Sequence, residues 1–319
     1  MAKVFIDGSA GTTGLRIRER LEVRDDITLI EIPDELRKDA AAITERMLAS
    51  DITFLCLPDA AAQEAVGYVA DAGARGPVII DTSTAHRTAT GWTYGFPEIT
   101  GRDVVAQSRR IANPGCHASG FVALVAPLVR AGIVLPGAEL SCFSLTGYSG
   151  GGKKMIAQYE APREERDPLL EAPRMYGLTQ MHKHLAEMRA VCTLTSAPVF
   201  CPVVAPFYAG MEVTVPLTPS CTTGGALPSA QDLCAVYSDF YGEGLVSVAA
   251  AAGEHEEGFL SAGLLAGFDD MQITVCGNEQ RIMLVSRFDN LGKGASGSAI
   301  QNMNIVLGID ERTGLKIHG

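Results

Sequence analysis

Val4-Phe5-Ile6-Asp7-Gly8-Ser9-Ala10-Gly11-Thr12-Thr13-Gly14 begins as an apolar run of strand length and turns into a loop of glycines and small residues. A helical pattern follows, with Leu15, Ile17 and Leu21. Strand, glycine loop and helix in that order allow a pyrophosphate to approach the backbone N–H groups at a helix N-terminus. Gly8, Ser9, Ala10, Gly11, Thr12, Thr13 and Gly14 are therefore the candidate cofactor-binding residues. The spacing is GxxGxxG and not the GxGxxG of the simplest dinucleotide fingerprint, which keeps a tight structural turn as the alternative. Beyond the second strand, an acidic residue would hold a ribose hydroxyl and a basic one would accept a 2′-phosphate. Glu31, Asp34 and Glu35 point one way, Arg37 and Lys38 the other, and Thr12 and Thr13 could hydrogen-bond either cofactor.

Outward from this loop, strand-length runs at Val4 to Asp7, Ile27 to Ile32, Ile52 to Leu57 and Val78 to Asp81 alternate with helical patterns. That is the βαβ rhythm of a doubly wound parallel sheet, an α/β fold of the Rossmann type. From about Glu139 the rhythm changes. Longer strand candidates follow at Leu140 to Thr146, Val191 to Thr195, Met211 to Pro216 and Met271 to Val275, with fewer helices between them. These predict a second, α+β domain on an antiparallel or mixed sheet. The segment 294–308 places Ile300, Met303 and Leu307 at helical spacing, and a lone terminal helix should return to pack on the first domain.

With 319 residues, 47% hydrophobic and 20% charged, the chain can bury a large core and divides into two domains. A net charge of -11, with no block of basic residues, argues against nucleic acid as a partner. The apolar stretch Gly120 to Ala138 is broken by Pro127, Arg130 and Pro136, so no transmembrane helix or membrane partner is expected. The strand beginning at Val4 leaves no room for a signal sequence, which predicts a cytoplasmic protein. None of the eight cysteines stands at CxxC spacing, so neither zinc nor a redox dithiol is supported and most read as small buried hydrophobes.

Cys116 differs from the rest. Asn113-Pro114-Gly115-Cys116 is a turn placed before a helical pattern carrying Phe121, Leu124, Val125 and Leu128. At a helix N-terminus the dipole and unsatisfied N–H groups favour a thiolate, and the same groups can stabilise an oxyanion. His117 is adjacent, but neighbours on a helix do not face each other, so it is a poor base for Cys116. His182-Lys183-His184 is the only close histidine pair, and an extended backbone would point both rings to one side. With Glu187 following, the pair could act as base and orienter; a metal site lacks a third ligand at suitable spacing. His86, His255 and His318 read as surface or structural residues.

These motifs resemble the N-acetyl-γ-glutamyl-phosphate reductases of arginine biosynthesis, in their short form. The resemblance runs nearly end to end. It rests on Gly8 to Gly14, Ser50 to Pro58, Asp81-Thr82-Ser83 with Arg87, Tyr94 to Glu98, Asn113 to Cys116, Gly147 to Lys153, Tyr176 with His182-Lys183-His184, and Asp289 to Gly297. It implies an NADP(H)-binding domain over 1–115, completed by the C-terminal helix within 294–319. It also implies a catalytic and dimerisation domain over 116–293, of the kind found in glyceraldehyde-3-phosphate and aspartate-semialdehyde dehydrogenases. Cys116 would be the nucleophile and His182 the acid/base, with Arg87, Arg110, Tyr176, His184 and Glu187 around the substrate. Ser149, Gly150, Asn290 and Gly294 would join the cofactor site. An acyl phosphate and inorganic phosphate would be the small-molecule partners of a homo-oligomer, dimer or tetramer.

Two features depart from the family pattern. Ala186 stands where a proline is usual, and His117-Ala118-Ser119 stands where many members have Tyr-Pro-Thr. The first is mild, because proline at the start of a helix is dispensable. The second falls directly beside Cys116. The same chemistry on another acyl phosphate, aspartyl or carrier-linked, is the nearest alternative. A non-catalytic dinucleotide-binding sensor is the other, and it would need no special thiol.

Overall fold

The computed structural model describes residues 1–249 and 258–318, so His255 lies outside the described residues. The chain divides into two compact units, one of Met1–Gly115 with Ala295–Leu315, the other of Cys116–Gly294 with the piece from Lys316 onward.

In the first unit the strands are β1 (Ala2–Asp7), β2 (Ile27–Ile30), β3 (Ile52–Leu55), β4 (Val78–Asp81), β5 (Thr93–Tyr94) and β6 (Arg110–Ala112). Among the described residues they form a six-stranded sheet in the order β2-β1-β3-β4-β6-β5, parallel at every pairing. The helices are α1 (Thr12–Leu21), α2 (Ala40–Ala49), α3 (Asp59–Tyr68), α4 (Pro97–Thr100) and α5 (Arg102–Ala106). Strand alternation sends Val4, Ile6 and Phe54 to one face, against Ile17 and Leu21 of α1. Phe5, Leu55 and Ile79 go to the other face, against Ile43 and Met47 of α2 and Ala62 and Ala65 of α3. Both faces are covered, which explains why the strands read as continuous apolar runs. Because β2 and β3 flank β1 on opposite sides, the strand order reverses at β1. The glycine loop therefore sits at the switch point where such sheets open a binding crevice.

The second unit carries β7 (Ser141–Gly147), β8 (Arg174–Met175), β9 (Val199–Ala205), β10 (Met211–Leu217), β11 (Val246–Val248), β12 (Met271–Asn278) and β13 (Arg281–Phe288). Their order is β11-β12-β13-β10-β7-β9-β8, a mixed sheet with parallel pairings only at β7 with β9 and β11 with β12 among the described residues. Its helices are α6 (Cys116–Arg130), α7 (Gly152–Glu160), α8 (His184–Val191) and α9 (Ala230–Tyr241). The hydroxyls of Tyr237 and Tyr241 on α9 donate to the carbonyls of Leu124 and Ala123 on α6, at 2.5 and 2.6 Å.

One expectation about this unit changes, and one strand is added to those expected. Val191 to Thr195 is not a strand: Val191 ends α8, and the chain then reverses through Thr193 at φ 54°. Its apolar residues are buried by packing, Cys192 and Leu194 among them, and burial without a pairing partner does not make a strand. Conversely β9 is a full strand despite Pro202, whose carbonyl accepts from the Tyr176 N–H at 3.0 Å.

The terminal helix α10 (Gly297–Val306) follows a π-helical turn at Gly292–Ser296. Ala299, Ile300 and Met303 enter the same core as Val4, Ile6 and Val105 in the first unit. From Lys316 onward the chain belongs to the second unit instead. The Asp269 N–H donates to the Lys316 carbonyl at 2.7 Å, and the Lys316 N–H returns a bond to the Asp269 carboxylate at 2.9 Å. The C-terminal completion of the first unit thus stops at Leu315, short of the chain end.

Candidate active site

The turn before Cys116 is fixed by its own polar groups. Within the first unit the Asn113 N–H donates to the Asp81 carbonyl at 2.7 Å, and the Asn113 amide donates to the Ala295 carbonyl at 3.0 Å. The Asn302 amide donates back to Asn113 Oδ1 at 3.2 Å. Cys116 is then the first residue of α6, a 15-residue helix whose next twelve residues are all buried. In this position the thiol faces the positive end of the helix dipole, the environment that favours a thiolate. Gly294 lies against it: a Cβ there would stand 3.0 Å from that of Cys116, tighter than ordinary contact.

The histidines arrive on a short path from the sheet edge. Tyr176 follows the two-residue strand β8, and Gly177 takes φ 63°, where a Cβ would press on Pro202. Gln180, also in the left-handed region at φ 55°, uses its side-chain amide to donate to the Phe200 carbonyl and accept from the Phe200 N–H, at 2.7 and 2.9 Å. That clamp ties the segment before His182 to β9. The backbone at Lys183 is helical, not extended as expected from sequence, because α8 begins at His184. The two rings still meet, with centroids 4.7 Å apart, since His182 Nδ1 accepts from the His184 N–H at 3.2 Å and folds back over the helix entrance. In the neutral ring this bond places the proton on Nε2.

His117 completes the cluster, and sequence reasoning assigned it no role. Its ring lies 5.7 Å from His182 and 5.6 Å from His184, and Phe200 is at 5.3 Å. Nδ1 is 2.7 Å from Ser144 Oγ and Nε2 is 2.5 Å from the Tyr176 hydroxyl. Burial, with His182 beside it, pushes its pKa down to about 3, so the ring is neutral at physiological pH. Burial also pushes the Tyr176 hydroxyl well above its ordinary value, with the charge of Cys116 adding to the effect, so Tyr176 stays protonated next to the sulfur. His184 and Glu187 are buried on α8, one turn apart. The signal for His117 in the sequence was its departure from Tyr-Pro-Thr; nothing local pointed to Ser144 on the inward face of β7.

Other predicted residues divide. Asn290 donates to Ser149 Oγ at 2.9 Å and accepts from the Gly210 N–H at 3.0 Å, and Gly150 is so close that a Cβ would stand 3.3 Å from the Asn290 amide nitrogen. Arg87 donates to the carbonyls of Asn113 and Thr82, at 2.9 and 3.2 Å, and braces the turn that leads to Cys116. Arg110 is not brought to the other residues. It opens β6 at the edge of the parallel sheet opposite the glycine loop and donates to the carbonyls of Pro77 and Arg109, at 3.3 and 3.1 Å. The family resemblance gave it a site role, but β6 carries its two ends to opposite edges of the sheet. Of the isolated histidines, His86 is buried, bonded to Asp81 at 2.6 Å and stacked on Trp92.

The glycine loop fits a dinucleotide pyrophosphate. Gly8 has φ +84°, and a Cβ there would come within 2.3 Å of the Cys56 carbonyl oxygen; at Gly14 it would come within 2.5 Å of the Gly8 carbonyl oxygen. Gly11 caps α1 with extended backbone, leaving the first N–H groups of the helix facing the loop. Thr12 Oγ1 is buried with no protein hydrogen-bond partner, an orphaned group of the kind a ligand satisfies. At the end of β2, Arg18 grips Glu31 through both guanidinium nitrogens, at 2.8 and 3.2 Å, on the wall of a small depression that includes Ser9 and Ile32. Among the described residues no helix is long and apolar enough to cross a membrane, and no group of three metal-ligating side chains gathers.

A nicotinamide-dinucleotide sheet joined to a mixed-sheet unit with a helix-terminal cysteine defines the semialdehyde dehydrogenases. Residues 17–108 match the NAD binding domain of that family and residues 116–290 its dimerisation domain. The fold is shared with aspartate semialdehyde dehydrogenase from Francisella tularensis, at a TM-score of 0.70 and 14% identity, covering 96% of this chain and all of that one. Two curated relatives are closer in sequence. N-acetyl-gamma-glutamyl-phosphate reductase 2 from Nostoc sp. (strain PCC 7120) is 42% identical, covering 98% of this chain and 99% of the relative. N-acetyl-gamma-glutamyl-phosphate reductase from Brucella suis is 43% identical, covering 96% of this chain and 99% of the relative. The chain belongs to the N-acetyl-γ-glutamyl-phosphate reductase family and is an oxidoreductase.

Proposed function

We propose that this enzyme reduces N-acetyl-γ-glutamyl phosphate to N-acetylglutamate 5-semialdehyde through a thioester on Cys116, with release of inorganic phosphate. The observation that carries the reading is Cys116 as the first residue of α6, directly before His117, whose ring bonds the Tyr176 hydroxyl and packs on His182. The thiolate displaces phosphate from the acyl carbon, and a thioester accepts hydride far more readily than a carboxylate. NADPH, bound at the glycine loop, supplies the hydride. Helix N–H groups and the His182 Nε2–H stabilise the oxyanion that develops, and its collapse returns the thiolate of Cys116. Arg18 supports NADP(H) over NAD(H), because it neutralises Glu31 where a free carboxylate would repel a 2′-phosphate. Ser149, Gly150, Asn290 and Gly294 are proposed as further cofactor residues on the strength of the family resemblance, and Arg87, His184 and Glu187 as polar groups for substrate. Arg110 has no part in this reading. The enzyme acts as a cytoplasmic homo-oligomer, a dimer or tetramer, through the unit that matches the dimerisation domain.

The test is phosphate-dependent reduction of NADP by N-acetylglutamate semialdehyde and by aspartate semialdehyde, with wild type and Cys116→Ser. Turnover of the first substrate, lost in the variant, is the expected result. Preference for aspartate semialdehyde would overturn the substrate, and an active serine variant would overturn the thioester.

A further inference from the structure

Tyr176, His117 and Ser144 form a hydrogen-bonded chain that no step above uses. The three residues come from three elements: Tyr176 from the end of the edge strand, His117 from the first turn of α6, and Ser144 from the inward face of β7. His117 is 3% exposed and Ser144 fully buried, so water cannot replace either contact. A neutral imidazole has one donor and one acceptor nitrogen, and both are occupied here by hydroxyl groups. Two polarities are then possible. Either Tyr176 donates its proton to His117, or His117 donates to the phenolic oxygen and frees the Tyr176 proton to turn elsewhere.

Cys116 precedes His117 in the first turn of α6, so the sulfur and the His117-bonded Tyr176 hydroxyl belong to one end of that helix, and the charge of Cys116 adds to burial in holding the phenol protonated. A phenol proton turned toward an anion is favoured over one turned away. His117 Nε2–H must then donate to Tyr176, and Ser144 must donate to Nδ1. We propose that His117 is a positioning residue: bonded to Ser144, it holds the Tyr176 hydroxyl with its proton directed at the reacting sulfur and acyl oxygen, making Tyr176 a donor to the oxyanion. The proposal rests on the reading of Cys116 as nucleophile. No proton is transferred along the chain, and each group ends with the proton it began with.

The experiment is a mutant cycle in kcat and KM for the phosphate-dependent reaction. His117→Phe keeps a ring among His182, His184 and Phe200 but removes both hydrogen bonds, and Tyr176→Phe removes the hydroxyl it serves. Each should lower kcat about tenfold with KM changed less than about threefold, as for an interaction made in the transition state. The double variant should be no worse than about tenfold, because the two residues act as one unit. His117→Gln, whose amide N–H can still reach the phenolic oxygen, should recover kcat to within about threefold of wild type. A double variant about a hundredfold slower, or a glutamine variant no better than phenylalanine, would overturn the proposal and leave only packing. Should His117→Phe fail to fold, Ser144→Ala breaks the chain at its far end; a fall in kcat at constant KM supports the proposal, and an unchanged kcat sinks it. Cys116→Ser is assayed beside these. Turnover in that variant would remove the underlying nucleophile reading, whereas additivity in the cycle with an inactive serine variant removes this inference alone.

Discussion

Asp7→Asn tests how the glycine loop is held. Asp7 ends β1 with its side chain 8% exposed, and burial pushes its pKa up from 3.8 to about 6 against the lowering effect of the Gly8 N–H. The folded state therefore binds the proton more tightly than the unfolded chain, and stability falls as pH rises through this range. At 1.36 kcal/mol per pKa unit, ionising Asp7 costs the fold about 0.5 kcal/mol at pH 4, about 1.6 at pH 5 and about 3 at pH 7.5. Asparagine has the same shape and cannot ionise. Its amide must find a partner, which costs about 1–3 kcal/mol if it fails, but that term does not vary with pH. The measurement is urea unfolding of both proteins at the three pH values, followed by the fluorescence of Trp92, the single tryptophan, which packs in the first unit. One probe confined to one unit avoids treating a two-unit chain as a single transition. The stability of the variant relative to wild type should rise by about 2.5 kcal/mol from pH 4 to pH 7.5. A gap that stays constant, or grows toward acid, would refute the burial argument.

Gly8→Ala should destabilise the first unit by more than about 2 kcal/mol and abolish NADPH binding, because the new Cβ meets the Cys56 carbonyl at 2.3 Å in a left-handed backbone. Trp92 fluorescence and cofactor titration measure the two effects. Arg18→Ala should weaken binding of NADPH and of 2′,5′-ADP about tenfold while leaving NADH unchanged, since the freed Glu31 carboxylate would face the 2′-phosphate; equal losses for both cofactors would remove Arg18 from selection. His182→Asn should lower kcat and kcat/KM together, while His184→Asn acts mainly on KM, as measured by steady-state kinetics of the phosphate-dependent reaction.

The central strands of the first unit were legible because they are buried on both faces, so Val4 to Ile6, Ile52 to Leu55 and Val78 to Ile80 announce themselves as apolar runs. The second unit was less so. Its strands alternate, as at Met211–Leu217, or contain a proline, as at Val199–Ala205, and these patterns compete with helix ends and turns. Cys116 could be placed at a helix start from Asn113-Pro114-Gly115 alone, since turn chemistry is local. The meeting of His117, Ser144 and Tyr176 could not, because it depends on the pairing of β7, β8 and β9 across about sixty residues of sequence. Arg110 rested on the resemblance alone, and its place on β6, against the carbonyls of Pro77 and Arg109, follows from strand pairing that no local motif announces.

The same cluster argues for what kind of help the reaction receives. In the proposed reaction, attack of the Cys116 thiolate would expel phosphate, hydride arrival would create an oxyanion, and collapse of that oxyanion would expel the thiolate again, so no proton need change hands on the acyl oxygen. What the site must supply is hydrogen-bond donation that strengthens as charge develops. His182 offers Nε2–H because its Nδ1 is taken by the His184 amide, Tyr176 keeps its proton because burial and the sulfur oppose ionisation, and the first N–H groups of α6 carry theirs permanently. His117 is held neutral, so the cluster adds no competing cation beside the thiolate to trap it as an ion pair. Neutral donors fixed by buried partners need little reorganisation when the charge appears.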